Sequence, residues 1–594
     1  MRHRVWVVGA AALSLVTGLA VAASASASTG AAHTARTSAL GVKTGLARHI
    51  PFCEALQKGK IAWASSGAQM FCFGPQPQHG GSLNPPGLRP ALGGTPGNVD
   101  AASPREDHSP ALVQLYGQSE TSIAAAGPYV VEAWNDSTSF ATNCGARMNK
   151  EEGTGFGFSA NGGHSFTDLG GLPNPGCTKT RFGGDASVVA YVHGGHTYFY
   201  ISSLFNAIRG LFISYIGFDA CEVIGTGPRA TLHCGRPIIA ASSKQCIKFI
   251  GGGFCSFLDK DFMAIDPARG RLYVSYSEFP LIGAGNPVDM SVCSLATPAR
   301  PTCKRGTPLK FAGHLGGGRF DVGKPYFTVA GPSSRGCLNE GSYPAVNVAT
   351  GSVYVAYEFN PATNIFNPGC FGFRNKTRNV ITRTPHSCLT FTLVAACSHP
   401  KNRASVAVFS MTAAFVPGYS RFPLQDFPRV AVSSRFGDVS MVWNDVRHHV
   451  NGDILLQSFK VGSLKRVQRF PTTLDARHGG GVTFLPALRV ANADGLIDVT
   501  WYSRAGTGTA WTSVVGAIGV SPAATRTPAN VTITNRPSNW LTTNSDINPN
   551  FGDYTDAVLS ATGSWPFVGR RLYVAWSDGR IGVPQPFEAH LSAG

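Results

Sequence analysis

The sequence is short of charge, and of negative charge above all. Only 14% of its 594 residues are Asp, Glu, Lys or Arg, and 33 acids face 50 basic residues, for a formal charge of +17. The basic residues are scattered and never form a run of five. A nucleic-acid binder gathers its cations into a patch or stripe, so no nucleic-acid partner is expected. The chain has no Cys-x-x-Cys pair, which removes the commonest zinc and redox arrangements. It also lacks a Gly-x-Ser-x-Gly elbow, a phosphate-binding loop and an Asp-x-Asp-x-Asp-Gly calcium loop. Beyond the N-terminus no apolar stretch is long enough to span a bilayer.

What is present begins with an export signal. Arg2 and Arg4 precede an apolar run, and Ala25-Ser26-Ala27 follows as a small-x-small cleavage site, so residues 1–27 read as a signal peptide. A secreted, extracellular protein follows. The even count of 14 cysteines agrees with an oxidising destination. They fall into near neighbours: Cys53/Cys72, Cys144/Cys177, Cys221/Cys234, Cys246/Cys255, Cys293/Cys303, Cys337/Cys370 and Cys388/Cys397. Each pair would close a local loop, so disulfides stapling long loops are expected. Residues 28–110, rich in Gly, Pro and Ser, read as an arm with a small Cys53/Cys72 element.

From residue 111 to 594 one pattern recurs. In residues 427–447, Val430, Val432, Val439, Met441 and Trp443 alternate around a turn that ends at Gly437, the period of strands with one face buried. Copies start near residues 121, 185, 262, 343, 427, 485 and 553. Each unit is too small to bury its own face, which implies stacking of repeats. The expected fold is all-β: a β-propeller of seven four-stranded blades, with six as the alternative, closed by an N-terminal strand. Residues 111–116 would stand next to the first blade, where such a closing strand is supplied.

A second motif, Ser159, Asn161, Gly163, Ser165 and Phe166, resembles the Asp-box of the bacterial neuraminidase repeat. Trp134-Asn135-Asp136, Asp259-Lys260-Asp261-Phe262, Asn550-Phe551-Gly552-Asp553-Tyr554 and Trp576-Ser577-Asp578-Gly579-Arg580 extend that likeness. Together they resemble the secreted, Asp-box-containing, sialidase-like propellers. The resemblance implies a propeller and a glycan-related role. It leaves the catalytic residues unassigned, because the Phe/Tyr-Arg-Ile/Leu-Pro motif that opens those enzymes is missing here.

The residues themselves suggest where a site would lie. Strand starts and second-strand ends share one end of a propeller. That end gathers Glu120, Asp185, Asp259, Asp261, Asp426 and Asp553 with Asp136, Glu278, Glu358, Asp445 and Asp578. Paired carboxylates divide acid and base roles in glycoside hydrolysis, so Asp553, Tyr554, Asp136 and Asp445 are the catalytic candidates. Arg447, Arg504 and Arg580, with Asp578 and Glu120, are the substrate-binding candidates, because a guanidinium fork matches carboxylated or sulfated sugars. An Asp that recurs at strand ends also caps turns, a structural role that competes with each assignment. His193-Gly194-Gly195-His196 reads as a solvated hairpin, and His448-His449 lacks a second ligand motif. No metal site is assigned and no cofactor is required, calcium on loop carboxylates being the one left open.

Two functions are compatible with this pattern. One is a monomeric glycan- or cell-wall-polysaccharide-binding protein that recognises acidic saccharides at a central funnel, with glycoside hydrolysis of an exo-sialidase kind as its enzymatic form. The other is a non-enzymatic scaffold or adhesion module using disulfide-stapled loops.

Overall fold

Alternating apolar residues become paired strands, and the pairing repeats along the chain. The computed structural model describes residues 97–104, 116–138, 152–207, 211–282, 285–332, 338–360, 376–389, 405–411, 427–449, 452–476, 481–490, 494–505, 511–540, 543, 552–562 and 569–593. Regular structure among them is strand apart from two single-turn helices, Gly227–Arg229 and His386–Cys388. No helix among them is long and apolar enough to cross a membrane.

Seven sheets follow one another in sequence, each opened by two antiparallel neighbours. The first contains Gln118–Ala126, Tyr129–Asp136, Thr154–Ser159 and Thr167–Gly171. The second is built on Ser187–His193, His196–Ala207 and Ser214–Ile224, and the third on Phe257–Asp266, Arg271–Phe279 and Val288–Ser294. Leu338–Asn347 and Ser352–Asn360 open the fourth, Arg429–Ser433 and Asp438–Asp445 the fifth, and Gly481–Val490 and Ile497–Ala505 the sixth. The seventh joins Asp556–Thr562, Gly569–Asp578 and Gln585–Ala593. Each opening strand touches the opening strands of the sheets before and after it, and that of the seventh touches that of the first.

The N-terminal side also reaches the seventh sheet. Val99–Asp100 pairs antiparallel with Gln585–Ala593, Val99 opposite Glu588 and Asp100 opposite Phe587. This edge strand lies inside the stretch read as an arm. Most of the alternative, residues 111–116, is outside the described residues.

Apolar side chains fill the spaces between sheets. Trp134, Trp443, Trp501 and Trp576, near the ends of four second strands, are all fully buried. Burial of such rings is a large favourable term, about 25 cal/mol per Å² of apolar surface removed from water. The turn at residues 159–166 is closed by its own side chains. Ser159 Oγ accepts the Gly163 N–H (3.0 Å), Asn161 Oδ1 accepts the Ser165 N–H (3.1 Å), and Phe166 packs against Ala101, Ala102 and Trp134.

An eighth sheet stands apart from this succession. It combines Leu211–Phe212, Gln245–Phe249, Gly252–Cys255, Thr307–Leu315 and Gly318–Lys324, drawn from chain on both sides of the third sheet. Three disulfides lie wholly among the described residues: Cys221–Cys234, Cys246–Cys255 and Cys293–Cys303. They match three expected pairs but differ in what they join. Each links residues directly opposite each other on adjacent antiparallel strands, so the bridges lock sheets instead of stapling long loops. Directly opposite residues bring their β-carbons close enough for a disulfide. Cys177 and Cys388 are also disulfide-bonded. The pairings of Cys53, Cys72, Cys144, Cys337, Cys370 and Cys397 lie outside the described residues, as do Asp426, Asn550 and Phe551.

Candidate functional site

The opening strands share a local irregularity that sets up their common end. Register shifts occur at residues 119–122, 259–262, 340–343 and 484–487. At these bulges Glu120, Lys260, Gly341 and Leu485 have positive φ, between 51° and 63°. Asp185 (φ 59°) and Gly552 (φ 72°) do the same just before the second and seventh opening strands. For non-glycine residues this conformation is costly, of order 1–3 kcal/mol, and persists only where the surroundings impose it. Gly552 has a second reason to be glycine: a β-carbon there would collide with Glu120.

Charged side chains at and beside these positions converge on one lysine. Lys260 Nζ lies 3.3 Å from Asp185 and 3.7 Å from Glu120, and is ion-paired with Asp553. All four side chains are buried, Lys260 completely. Glu120 also accepts the Asp553 N–H (3.1 Å) and an Asn135 Nδ2–H (3.0 Å). Four sheets are thereby tied through one ammonium group. Burial pushes Asp185 up to about 6, with Lys260 restraining the rise.

Next to this cluster, starting with the Tyr554 ring centre 5.3 Å from Lys260 Nζ, lies a group of aromatic rings and arginines. The Arg429 guanidinium lies 4.5 Å from the Phe262 ring centre, 4.6 Å from Tyr343 and 5.5 Å from Tyr554. Arg489 pairs with Asp556 (2.5 Å) and bonds the Tyr343 hydroxyl. Tyr554 donates its hydroxyl to the Ala186 carbonyl (3.0 Å), and burial pushes its ionisation well up. Glu120, Asp185 and Asp553, expected to line an open funnel, are thus buried and paired with Lys260. No three His, Cys, Asp or Glu among the described residues are arranged to hold a metal ion.

The candidates at second-strand ends form separate locks. In the fifth sheet Asp445 accepts the Trp443 indole N–H (2.9 Å) and takes Arg447 through its backbone N–H (2.8 Å) and Nη2 (2.7 Å). The seventh sheet repeats this. Asp578 accepts the Trp576 indole (2.8 Å), the Arg580 backbone N–H (2.9 Å) and Arg580 Nη2 (2.6 Å). Burial alone would raise Asp578, but Arg580 and these bonds outweigh it and hold it below the usual carboxylate range. In the first sheet Asp136 bonds the Thr138 N–H (2.9 Å) and hydroxyl (2.5 Å), and burial still pushes it up to about 6. Residues two apart on a strand share a face, which is how Trp-x-Asp closes on itself in the fifth and seventh sheets.

The sixth sheet breaks this rule. Its second strand ends Trp501-Tyr502-Ser503-Arg504, so serine stands in the aspartate's place. Trp501 Nε1 has no hydrogen-bond partner. Arg504 comes one position earlier than Arg447 and Arg580 do, on the opposite face from Ser503. Its Nε donates to Thr512 Oγ1 (3.2 Å), but neither Nη atom has a partner, although the residue is fully buried. Desolvation pulls this guanidinium down to about 10.

The remaining motifs have plain structural settings. Gly194 and Gly195 make the tight turn between His193 and His196, and His449 pairs with Asp453 (2.8 Å). Glu278 lies on a small cleft beside the eighth sheet, where its carboxylate accepts the Lys244 N–H (2.7 Å). The sequence pointed to the carboxylates but missed Lys260, Arg429 and Arg489. A lysine between two aspartates, in Asp259-Lys260-Asp261, was the available signal.

No protein-family model matches the chain, and no curated protein matches it. Similar solved structures include the phage phi92 endosialidase, at TM-score 0.36 and 8% identity over 83% of this chain and 69% of that one. Another is the GH93 α-L-arabinofuranosidase of Fusarium graminearum, at TM-score 0.37 and 10% identity over 68% and 92% of the two chains. A third is the Trypanosoma rangeli sialidase in complex with the inhibitor DANA, at 0.34 and 12% over 84% and 75%. Scores of this size carry no argument about chemistry, which rests on the residues themselves.

Proposed function

We propose that the seven successive sheets are blades of a closed, secreted β-propeller with Val99–Asp100 as its outer closing strand. We further propose that the protein binds a glycan carrying carboxylate or sulfate groups at the end of the ring where opening strands begin. Arg504 carries this reading. A buried guanidinium with both Nη atoms unpaired is costly, and a planar oxyanion is the partner its fork fits. Arg504 is the penultimate residue of its strand, so a rotamer change takes its head group toward the strand end. The resemblance to sialidase-like propellers and the three disulfides agree with an extracellular, glycan-related role.

Hydrolysis has less support than binding. Asp553 is paired with Lys260, Tyr554 with a carbonyl, Asp136 with Thr138 and Asp445 with Trp443 and Arg447. A general acid or nucleophile has to reach the glycosidic bond. The test is a glycan array paired with a panel of fluorogenic glycosides. Binding to sialylated, uronic or sulfated glycans without turnover is the expected result. Preference for neutral glycans, or turnover abolished by Asp553→Asn in a folded variant, would replace this reading.

A further inference from the structure

The eighth sheet carries a surface that the glycan site does not use. Two of its hairpins end side by side: antiparallel pairing sets Lys248 opposite Arg319, and a β-carbon on Gly318 would touch the Phe249 ring. One turn runs through Ile250 and Gly251 and the other through Gly316 and Gly317, all three glycines at positive φ. Phe249 is 42% exposed, and Ile250, at the tip, is completely exposed. The Cys246–Cys255 bridge holds the hairpin beneath them. Large apolar side chains held out on a braced turn are not a solvated loop.

Charge surrounds this tip asymmetrically. The strands of the eighth sheet contain Lys248, Lys310, Arg319 and Lys324 against the single carboxylate of Asp321. Cross-strand partners share a face, so Lys248, Arg319, His314 and Phe311 lie together on one side. Asp321, itself buried, bonds both Lys248 (2.7 Å) and Arg319 (2.8 Å) and keeps these opposed cations side by side. Arg319 also lies 5.2 Å from the centre of the exposed Phe311 ring.

We propose that this end of the eighth sheet docks on an anionic lipid surface, with Ile250 and Phe249 entering the interface and Lys248 and Arg319 meeting the headgroups. Protruding apolar residues backed by cations suit a soft, negatively charged interface. A soluble polyanion would use the cations and leave Ile250 without a role. This docking is independent of Arg504 and of the glycan reading.

The test is co-sedimentation of the full protein with vesicles of phosphatidylcholine alone or mixed with phosphatidylglycerol. Binding to the mixed vesicles only is expected, weakening on added salt and falling at least tenfold in Ile250→Ser. Ile250→Trp should show blue-shifted emission on the mixed vesicles, reporting entry of the tip itself. Absence of binding to either vesicle overturns the proposal, as does equal binding by Ile250→Ser. Concentration-dependent self-association without vesicles, lost in Ile250→Ser, would assign the tip to a second copy of the chain instead. Arg504→Met should bind vesicles as the parent does, which separates this surface from the glycan site.

Discussion

Two buried cations differ in what surrounds them. Lys260 meets three carboxylates from three other sheets, whereas Arg504 meets one hydroxyl in its own sheet. A buried charge with partners is part of the frame, and a buried charge without them is available to a ligand. Lys260 therefore belongs to the frame, and Arg504 is the residue to which we assign recognition. The same contrast runs through the second-strand ends: Asp445 and Asp578 lock their tryptophans and arginines, and Ser503 leaves Trp501 and Arg504 unlocked.

The largest effect is expected from Lys260→Met. Removing the ammonium strands three buried carboxylates, and loss of one partner of a buried pair costs about 3–5 kcal/mol. Denaturant unfolding should show a loss of that order; unchanged stability would mean the cluster holds nothing together.

A change of pH probes the same interior. Burial raises Asp185 and Asp136 to about 6 and Glu588 to about 7, above their ordinary 3.8, 3.8 and 4.5. Each binds its proton more tightly folded than unfolded. Its contribution is complete below the unfolded value and is lost as pH rises through the folded one. The thermal midpoint should therefore be higher near about pH 5 than near about pH 8. Asp578, held low by Arg580, opposes this only in more acidic solution. A midpoint that climbs steadily to about pH 8 would contradict the assignment.

Smaller effects sharpen the locks. Trp443→Phe deletes the indole donor to Asp445 and should cost about 1–3 kcal/mol beyond the lost ring area. Trp501→Phe has no such bond to lose, so its cost should be smaller. Equal losses would show that the indole–aspartate bond adds nothing. Arg504→Met should be neutral or stabilising by about 1 kcal/mol, because it removes a desolvated charge with a single bond.

Much of the frame was legible. Alternation at Val430, Val432, Val439, Met441 and Trp443 gave the strand pair, and its copies mark the opening strand pairs of successive sheets. The Trp-x-Asp lock was also within reach, because residues two apart on a strand share a face. The centre was not. Lys260 gathers partners from distant parts of the chain, and its bulge places a non-glycine residue at positive φ, which no local rule anticipates. The eighth sheet escaped for a similar reason: its strands come from both sides of the third sheet. Arg504 was named among the cations, but what distinguishes it is the serine in the aspartate's place, visible only once the lock is seen in its neighbours.

The most direct measurement compares Arg504→Met with Asp553→Asn in calorimetric titration of the acidic glycan that binds the parent protein best. Arg504→Met should lose binding at least tenfold while remaining folded, and folded Asp553→Asn should bind as the parent does. Retained binding in Arg504→Met with loss in folded Asp553→Asn would return the site to the central carboxylates.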